Sequence, residues 1–252
     1  MDIQDDRKKS ILVPTGIKGL DMHLGGGFPP GSTILLVGDS GSGLPMFTYQ
    51  FAYGGILNGD SVVYYTTDRP VKEIKSEMQS FSMDASTFSK QIEYVDSYTP
   101  RFYNLLPANL QKEMKPKDYL KQNVDVLNFL KATVLKERSE NYRFIIDSVS
   151  YFLRSYSLNE IVDMIEIMSS VSKINQSVNI LTMKGGMHDS LVENTMKHSC
   201  DGVIEFRLHE KGSDIERSMF IRKIRGMLVP SNIIPYRITR KGIELETTKR
   251  VL

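Results

Sequence analysis

The stretch Gly38-Asp39-Ser40-Gly41-Ser42-Gly43-Leu44-Pro45 follows an apolar run at 33–37 and opens a helix-forming segment. Its glycines keep the frame of a phosphate-binding loop, G-x-x-x-x-G-K-[S/T]. In that frame backbone N–H groups curl around phosphate, and the next helix turns its positive end toward the same anion. The lysine of the motif charges the β/γ-phosphates, and the Ser/Thr hydroxyl ligates Mg²⁺. Here Leu44 and Pro45 stand in those two places. Leu44 carries no charge, and Pro45 has neither hydroxyl nor backbone N–H. Proline is sterically at home in the first turn of a helix.

The loss has a size. At roughly 1.5–3 kcal/mol per charge-assisted contact, losing two or three costs roughly 4–8 kcal/mol. That is about three decades of affinity or more, so tight Mg·ATP binding in the usual pose is not expected and no cofactor is called for. Weak ATP or ADP binding is the most the glycines would support. Taken alone, the loop is also an ordinary glycine-rich strand-to-helix turn, and its flanks have to decide.

Upstream run Pro14-Thr15-Gly16-Ile17-Lys18-Gly19-Leu20-Asp21 and then Leu24-Gly25-Gly26-Gly27-Phe28-Pro29-Pro30-Gly31-Ser32. Downstream stand Gln50-Phe51-Ala52-Tyr53 and Gly54-Gly55. This continuous stretch resembles the entry of the RecA superfamily in its KaiC-like branch, near the archaellum accessory ATPases. That entry reads T-G-I-x-G-x-D-x-x-L-G-G-G-x-P-x-G into the loop strand, and Q-F-x-Y-x-G closes the loop helix. Cys200-Asp201-Gly202-Val203-Ile204 is similar to the family's A-D-G-V-I strand, and 238–245 resembles its terminal hairpin. Residues 85–140 are the least recognisable part.

The resemblance assigns roles position by position. Phe144-Ile145-Ile146-Asp147-Ser148 looks like the Walker B strand, with Asp147 where the Mg²⁺-associated carboxylate belongs. Thr67-Asp68-Arg69-Pro70 falls where the family carries T-x-E-E. There Asp68 is one methylene shorter than the usual glutamate, and Arg69 cannot serve as a general base. Lys223-Ile224-Arg225-Gly226 matches K-x-R-G, whose cations reach a neighbouring subunit's γ-phosphate in ring assemblies. The implied fold is α/β, RecA-like, a mostly parallel central sheet flanked by helices with a C-terminal antiparallel hairpin. The implied partners are protein: further copies of the chain, or an active KaiC-like paralogue.

Composition agrees with one such domain over 1–252: 252 residues with 40% hydrophobic content suffice for one sizeable core. With 32 basic against 30 acidic residues the net charge is +2, so no overall field draws the chain to nucleic acid or anionic lipid. A single cysteine, Cys200, excludes an internal disulfide framework and suits a reducing compartment. No apolar run approaches a membrane span, so no membrane insertion is expected and the cytoplasm is the default location.

Short apolar runs at 33–37, 62–66, 92–95, 143–147, 178–183 and 202–206 are expected to form parallel strands buried on both faces. Helical stretches near 45–57, 70–81, 117–138 and 158–174 alternate with them, the order of a doubly wound α/β fold. Residues 97–114 are expected to be an irregular connection, and 218–222, 236–239 and 242–247 antiparallel strands with a turn at Gly242.

Several residues have a plain structural reading beside the functional one. Asp147 is either a metal-associated acid or a strand end satisfied by Ser40 or backbone groups, and without a lysine at 44 the second is favoured. Lys223 and Arg225 share a strand face, which suits a neighbour's phosphate or an ion pair. His188, His198 and Cys200 match no zinc spacing, so no metal site is expected. The 185–195 segment lies where RecA-type recombinases place a DNA-contacting loop, but it carries Asp189 and Glu193 and no Arg or Lys, which makes nucleic acid unfavoured. Residues 207–222 mix both signs and are expected to form a solvated hairpin.

Three functions follow in order. The first is a non-catalytic KaiC-like protein, a regulatory or scaffolding subunit. The second is an unorthodox ATPase in which Lys18, Lys223 or Arg225 supplies the missing charge. The third is a recombinase-paralogue module for single-stranded DNA.

Overall fold

A computed structural model of the protein describes residues 12–105, 107–113, 125–139, 141–212 and 214–246. In chain order the elements are α1 (Lys18–His23), β1 (Thr33–Gly38), α2 (Leu44–Leu57), β2 (Val62–Thr66), α3 (Val71–Ser80) and β3 (Ile92–Asp96). There follow α4 (Ala108–Glu113), α5 (Val126–Leu135), β4 (Arg143–Asp147), α6 (Ser150–Ser155), α7 (Leu158–Asn175) and β5 (Val178–Lys184). The chain closes with α8 (Ser190–Ser199), β6 (Gly202–Lys211), β7 (Asp214–Ile224), β8 (Ile234–Thr239) and β9 (Gly242–Leu245).

The strands form one nine-stranded sheet in the order β3-β2-β4-β5-β1-β6-β7-β8-β9. From β3 to β6 all neighbours are parallel, and from β6 to β9 all are antiparallel. Strand alternation sorts the core into two layers. Ile34, Leu36, Val62, Tyr64 and Ile145 face α2 and α3, whereas Leu35, Val37, Val63, Tyr65 and Ile146 face α5, α6 and α7. The continuous apolar strands follow, because a parallel sheet covered on both sides has no wet face.

Three of the helices begin where short polar side chains cap them. Ser157 and Glu160 form a reciprocal capping box on α7, Asp125 caps α5, and Asp189 caps α8. α2 differs: it starts on a left-handed glycine, Gly43, followed at once by Leu44 and Pro45. Ten of its residues are buried, because it lies between the sheet and the terminal hairpin rather than on the surface.

The six parallel strands appear where the apolar runs place them. Of the helix expected over 117–138, Val126–Leu135 is seen, and 117–124 lies outside the described residues. The irregular connection at 97–114 carries a 3-10 turn, Thr99–Leu105, and then α4. The 185–195 segment, which lies where recombinases place a DNA-contacting loop, enters α8, capped by Asp189. The hairpin at 207–222 is more than a solvated ribbon, since Met219 and Ile221 of β7 are buried in the core.

Candidate functional site

β1 lies in the middle of the sheet, and its C-terminal end feeds the glycine loop. Gly41 and Gly43 have φ of +84° and +92°, which side-chain-bearing residues rarely adopt. Gly43 is also closed by packing, since a Cβ there would lie 2.6 Å from Ile238 Cδ1 of β8. A Cβ on Gly38 would stand 2.6 Å from Ser42 Oγ and 2.9 Å from Phe206 Cβ. Only at Gly41 does this part of the loop stay open, its nearest neighbour being Leu208 at 3.6 Å.

The loop is held by the rest of the chain. Ser42 N–H donates to Asp39 O at 3.1 Å, and Gly185 N–H to Gly38 O at 3.0 Å. From the antiparallel strands, Tyr236 donates its hydroxyl to Ser42 O and Arg217 Nε donates to Gly41 O at 3.2 Å. Asp39 and Ser40 are exposed. Leu44 is 7% exposed and its side chain belongs to the core cluster on the α2 face of the sheet. The Ser42 hydroxyl is buried and, among the described residues, has no hydrogen-bond partner.

Two strands away, β2 and β4 end side by side, with Thr66 in register with Asp147. The Asp147–Ser148 peptide is cis. Asp147 is nearly buried, and both its oxygens are occupied. Oδ1 accepts from Thr182 Oγ1 at 3.0 Å, and Oδ2 accepts from Tyr64 OH at 3.0 Å and Arg69 at 3.3 Å. The satisfied strand end is therefore real, but its partners are Thr182, Tyr64 and Arg69 in place of Ser40. Arg69 also donates to Glu77 of α3 and, at 2.7 Å, to the hydroxyl of Tyr49 in α2. Burial opposes the Arg69 charge, but Tyr49, Asp147, Tyr64 and Glu77 outweigh it and raise the guanidinium above its ordinary range.

Asp68 turns the other way. Its Oδ2 accepts from Lys184 Nζ at 2.8 Å and from Ser148 Oγ at 3.0 Å. Lys184 is the last residue of β5 and pairs in register with Gly38, so it stands next to the mouth of the loop. Sequence reasoning did not single it out. The signal was present, because a lysine one position past the 178–183 run falls level with the end of β1 when parallel strands start together.

Asp68, Arg69, Asp147 and Ser148 thus gather at one end of the sheet beside the loop of Gly38 to Pro45, while Lys223 and Arg225 do not. Ile224 pairs with Gly202, and Gly202 pairs with Ile34 near the start of β1. Gly38 lies four residues farther along β1, about 13 Å at the rise of a strand. Lys223 Nζ donates to His198 O at 3.2 Å, and Arg225 pairs with Asp201 at 2.7 Å. Lys18 is similarly remote, for Gly19 beside it packs on Leu245 while Gly16 packs on Gln50 and Gly54, midway and farther along α2. None of these three cations can charge a phosphate in the loop of its own subunit.

The donor set does not fit Mg²⁺ with a nucleotide triphosphate. Asp147 already holds an arginine, and the residues at the head of α2 offer no cation and no hydroxyl. In the ion pairs of this end, four carboxylates, Asp68, Glu73, Glu77 and Asp147, meet two cations, Arg69 and Lys184. Two further cations stand at the same end outside those ion pairs, Arg217 at Gly41 O of the loop and Arg101 at Thr67 O. Among the described residues no group of three or more His, Cys, Asp or Glu could hold a metal, and Cys200 is buried in the core. Among them, too, no helix is long and apolar enough to cross a membrane.

A central strand feeding a glycine loop, an acid one strand removed and a parallel sheet continued by antiparallel strands define a RecA-like α/β protein. The chain matches the family described as "ATPase: KaiC" over residues 13–250 and belongs to it. It is similar to a UPF0273 protein of Thermotoga maritima, 27% identical over 240 residues covering 92% of this chain and 94% of the relative. A UPF0273 protein of the archaeon Aeropyrum pernix is likewise 27% identical, covering 92% of each chain. The crystal structure of a KaiC-like protein from the hyperthermophilic archaeon Pyrococcus horikoshii superposes with a TM-score of 0.67 at 26% identity, covering 93% of this chain and 98% of that one.

Proposed function

We propose that this KaiC-family protein is non-catalytic, a regulatory or scaffolding subunit that works through protein contacts. Its partners are further copies of itself or an active KaiC-like paralogue, and its binding of Mg·ATP is weakened or lost through Leu44 and Pro45. The observation that carries the reading is the contact of Arg69 with Asp147. The carboxylate that would attend a metal is supplied with a cation by the chain itself, at 3.3 Å. Leu44 supports it, since its side chain is used to fill the core and gives nothing to the loop.

The assay is phosphate release from Mg·ATP. The natural protein is expected to show none above buffer. Turnover that disappears in Asp147→Asn would sink the proposal. A second reading, an ATP-binding ATPase with a displaced cation, draws on Lys184 beside Gly38. It predicts turnover, or nucleotide binding in the micromolar range, that Lys184→Gln removes.

A further inference from the structure

At the opposite end of the sheet from the candidate site, α3, the turn that follows it and the edge strand β3 enclose a recess of about 260 Å³. Small-ligand pockets run from roughly 300 to 1,000 Å³, so this one suits a compact molecule of one ring or one branched chain. Ile92, on its floor, pairs with Val62 at the start of β2, whereas Asp68 follows the end of β2. The recess therefore lies away from the glycine loop, with its Tyr94 ring 6.0 Å from the ring of Tyr64, whose hydroxyl bonds Asp147.

Its chemistry is uneven. The floor is apolar: Met78 and Ile92 are buried, and the Tyr94 ring lies beside them. The Tyr94 hydroxyl has a thioether as its acceptor, Met78 Sδ at 3.5 Å. Sulfur is a weak acceptor, so this donor has most of its hydrogen-bonding capacity unspent. Burial pushes the phenol up to about 12, which keeps it a donor at neutral pH. On the rim, the Lys75 ammonium lies 4.7 Å from the centre of the Tyr94 ring, and among the described residues it makes no ion pair. Across the rim, Asp84 is turned toward the N–H of Ser86 at 2.9 Å and the amide of Gln79 at 3.3 Å.

We propose that this recess binds a small monocarboxylate with an apolar body. The carboxylate meets Lys75 Nζ and the Tyr94 hydroxyl, a charged and a neutral donor on the same side. The body lies on Met78 and Ile92. Asp84, whose charge reaches Tyr94, opposes negative charge in the recess, so the ligand carries one carboxylate and no more. The inference stands apart from the reading of the glycine loop, and neither depends on the other.

The test uses the full chain with ¹³C-methyl methionine, following the Met78 methyl, titrated with phenylacetate and 3-methylbutanoate. Phenylacetamide serves as the uncharged match of the first. Met78→Leu assigns the resonance, a swap of similar volume that cores tolerate. The expected result is a saturable Met78 shift with at least one acid, about tenfold weaker binding of phenylacetamide, and no binding in Ala85→Phe, which fills the recess. Lys75→Gln, on an exposed helical position, should weaken the acid by about tenfold and leave the amide unchanged. No saturable shift with either acid up to about 20 mM would overturn the site. Equal binding of acid and amide, or indifference to Lys75→Gln, would overturn the carboxylate assignment.

Discussion

The two halves of the candidate site differ in opposite ways from the pattern that the sequence resemblance implies. At the end of β1 the backbone is kept and the side chains are changed: the glycines still bend the loop, but Leu44 has gone into the core and Pro45 starts α2. At the ends of β2 and β4 acids remain and their freedom is gone: Asp147 and Ser148 stand where the resemblance expects them, Asp68 and Arg69 stand in place of two glutamates, and each acid is engaged by another part of the chain. In the acid half, contacts that a metal would make are made by the chain's own cations, whereas the loop carbonyls held in the other half are acceptors that a phosphate would not use. Tyr236 and Arg217 hold the loop carbonyls, while Arg69 and Lys184 hold the acids. In the proposed function the site holds its shape while its chemistry is withdrawn, the chain's own cations taking over the contacts of the acids.

The acid half should respond most strongly to substitution. Arg69→Met leaves Asp147 with two hydroxyl donors and removes the cation from Glu77. It should lower the unfolding free energy in urea by about 2–3 kcal/mol, below the loss for a fully buried pair because the Arg69 side chain is 22% exposed. No change would mean that the ion network is incidental, and the contrast between the halves would fail.

Glu205 of β6 gives the reverse charge balance and so sharpens the comparison. There one carboxylate meets three cations, Lys197, Arg207 and Arg222. Burial alone would raise its pKa, but hydrogen bonds from Arg222, Arg207 and Lys197 prevail and hold it at about 2, against an ordinary value of 4.5. Because the folded value is depressed, the stabilisation is complete above the unfolded value and fades as pH falls from 4.5 toward about 2. Glu205→Gln should cost about 2 kcal/mol at neutral pH. The gap between variant and natural protein should close across that acid window in urea melts, and a gap that persists at the acid limit would contradict the assignment.

The loop half should respond least. Tyr236→Phe deletes the hydroxyl bonded to Ser42 O and should cost about 1 kcal/mol. Hydrogen exchange at the Ser42 amide should quicken, while the Ile34 amide in the middle of the sheet stays protected. Equal quickening at both positions would show a general loosening in place of a local hold on the loop.

Much of the sheet was legible because parallel strands buried on both faces must be short, continuous and apolar, as 62–66 and 143–147 are. The loop was legible from its glycines and the acids from their place at strand ends. What stayed hidden was partnership. Nothing local marks Tyr64 as a neighbour of Asp147, 83 residues away, or Tyr49 as a partner of Glu77, 28 residues away. Gly38 and Gly43 looked like room for phosphate, and packing against Phe206 and Ile238 accounts for them as well. Lys223 and Arg225 shared a face in the sequence, but only the register of β6 on β1 puts them at the far end from the loop.

The most direct measurement is calorimetric titration with Mg·ATP and Mg·ADP of the natural protein and of the Leu44→Lys/Pro45→Thr double variant under the same conditions. The account predicts no binding by the natural protein up to about millimolar nucleotide, and binding gained by the variant, because the backbone of the loop is already in place. Micromolar binding by the natural protein would contradict it and turn attention to Lys184 as the source of the missing charge.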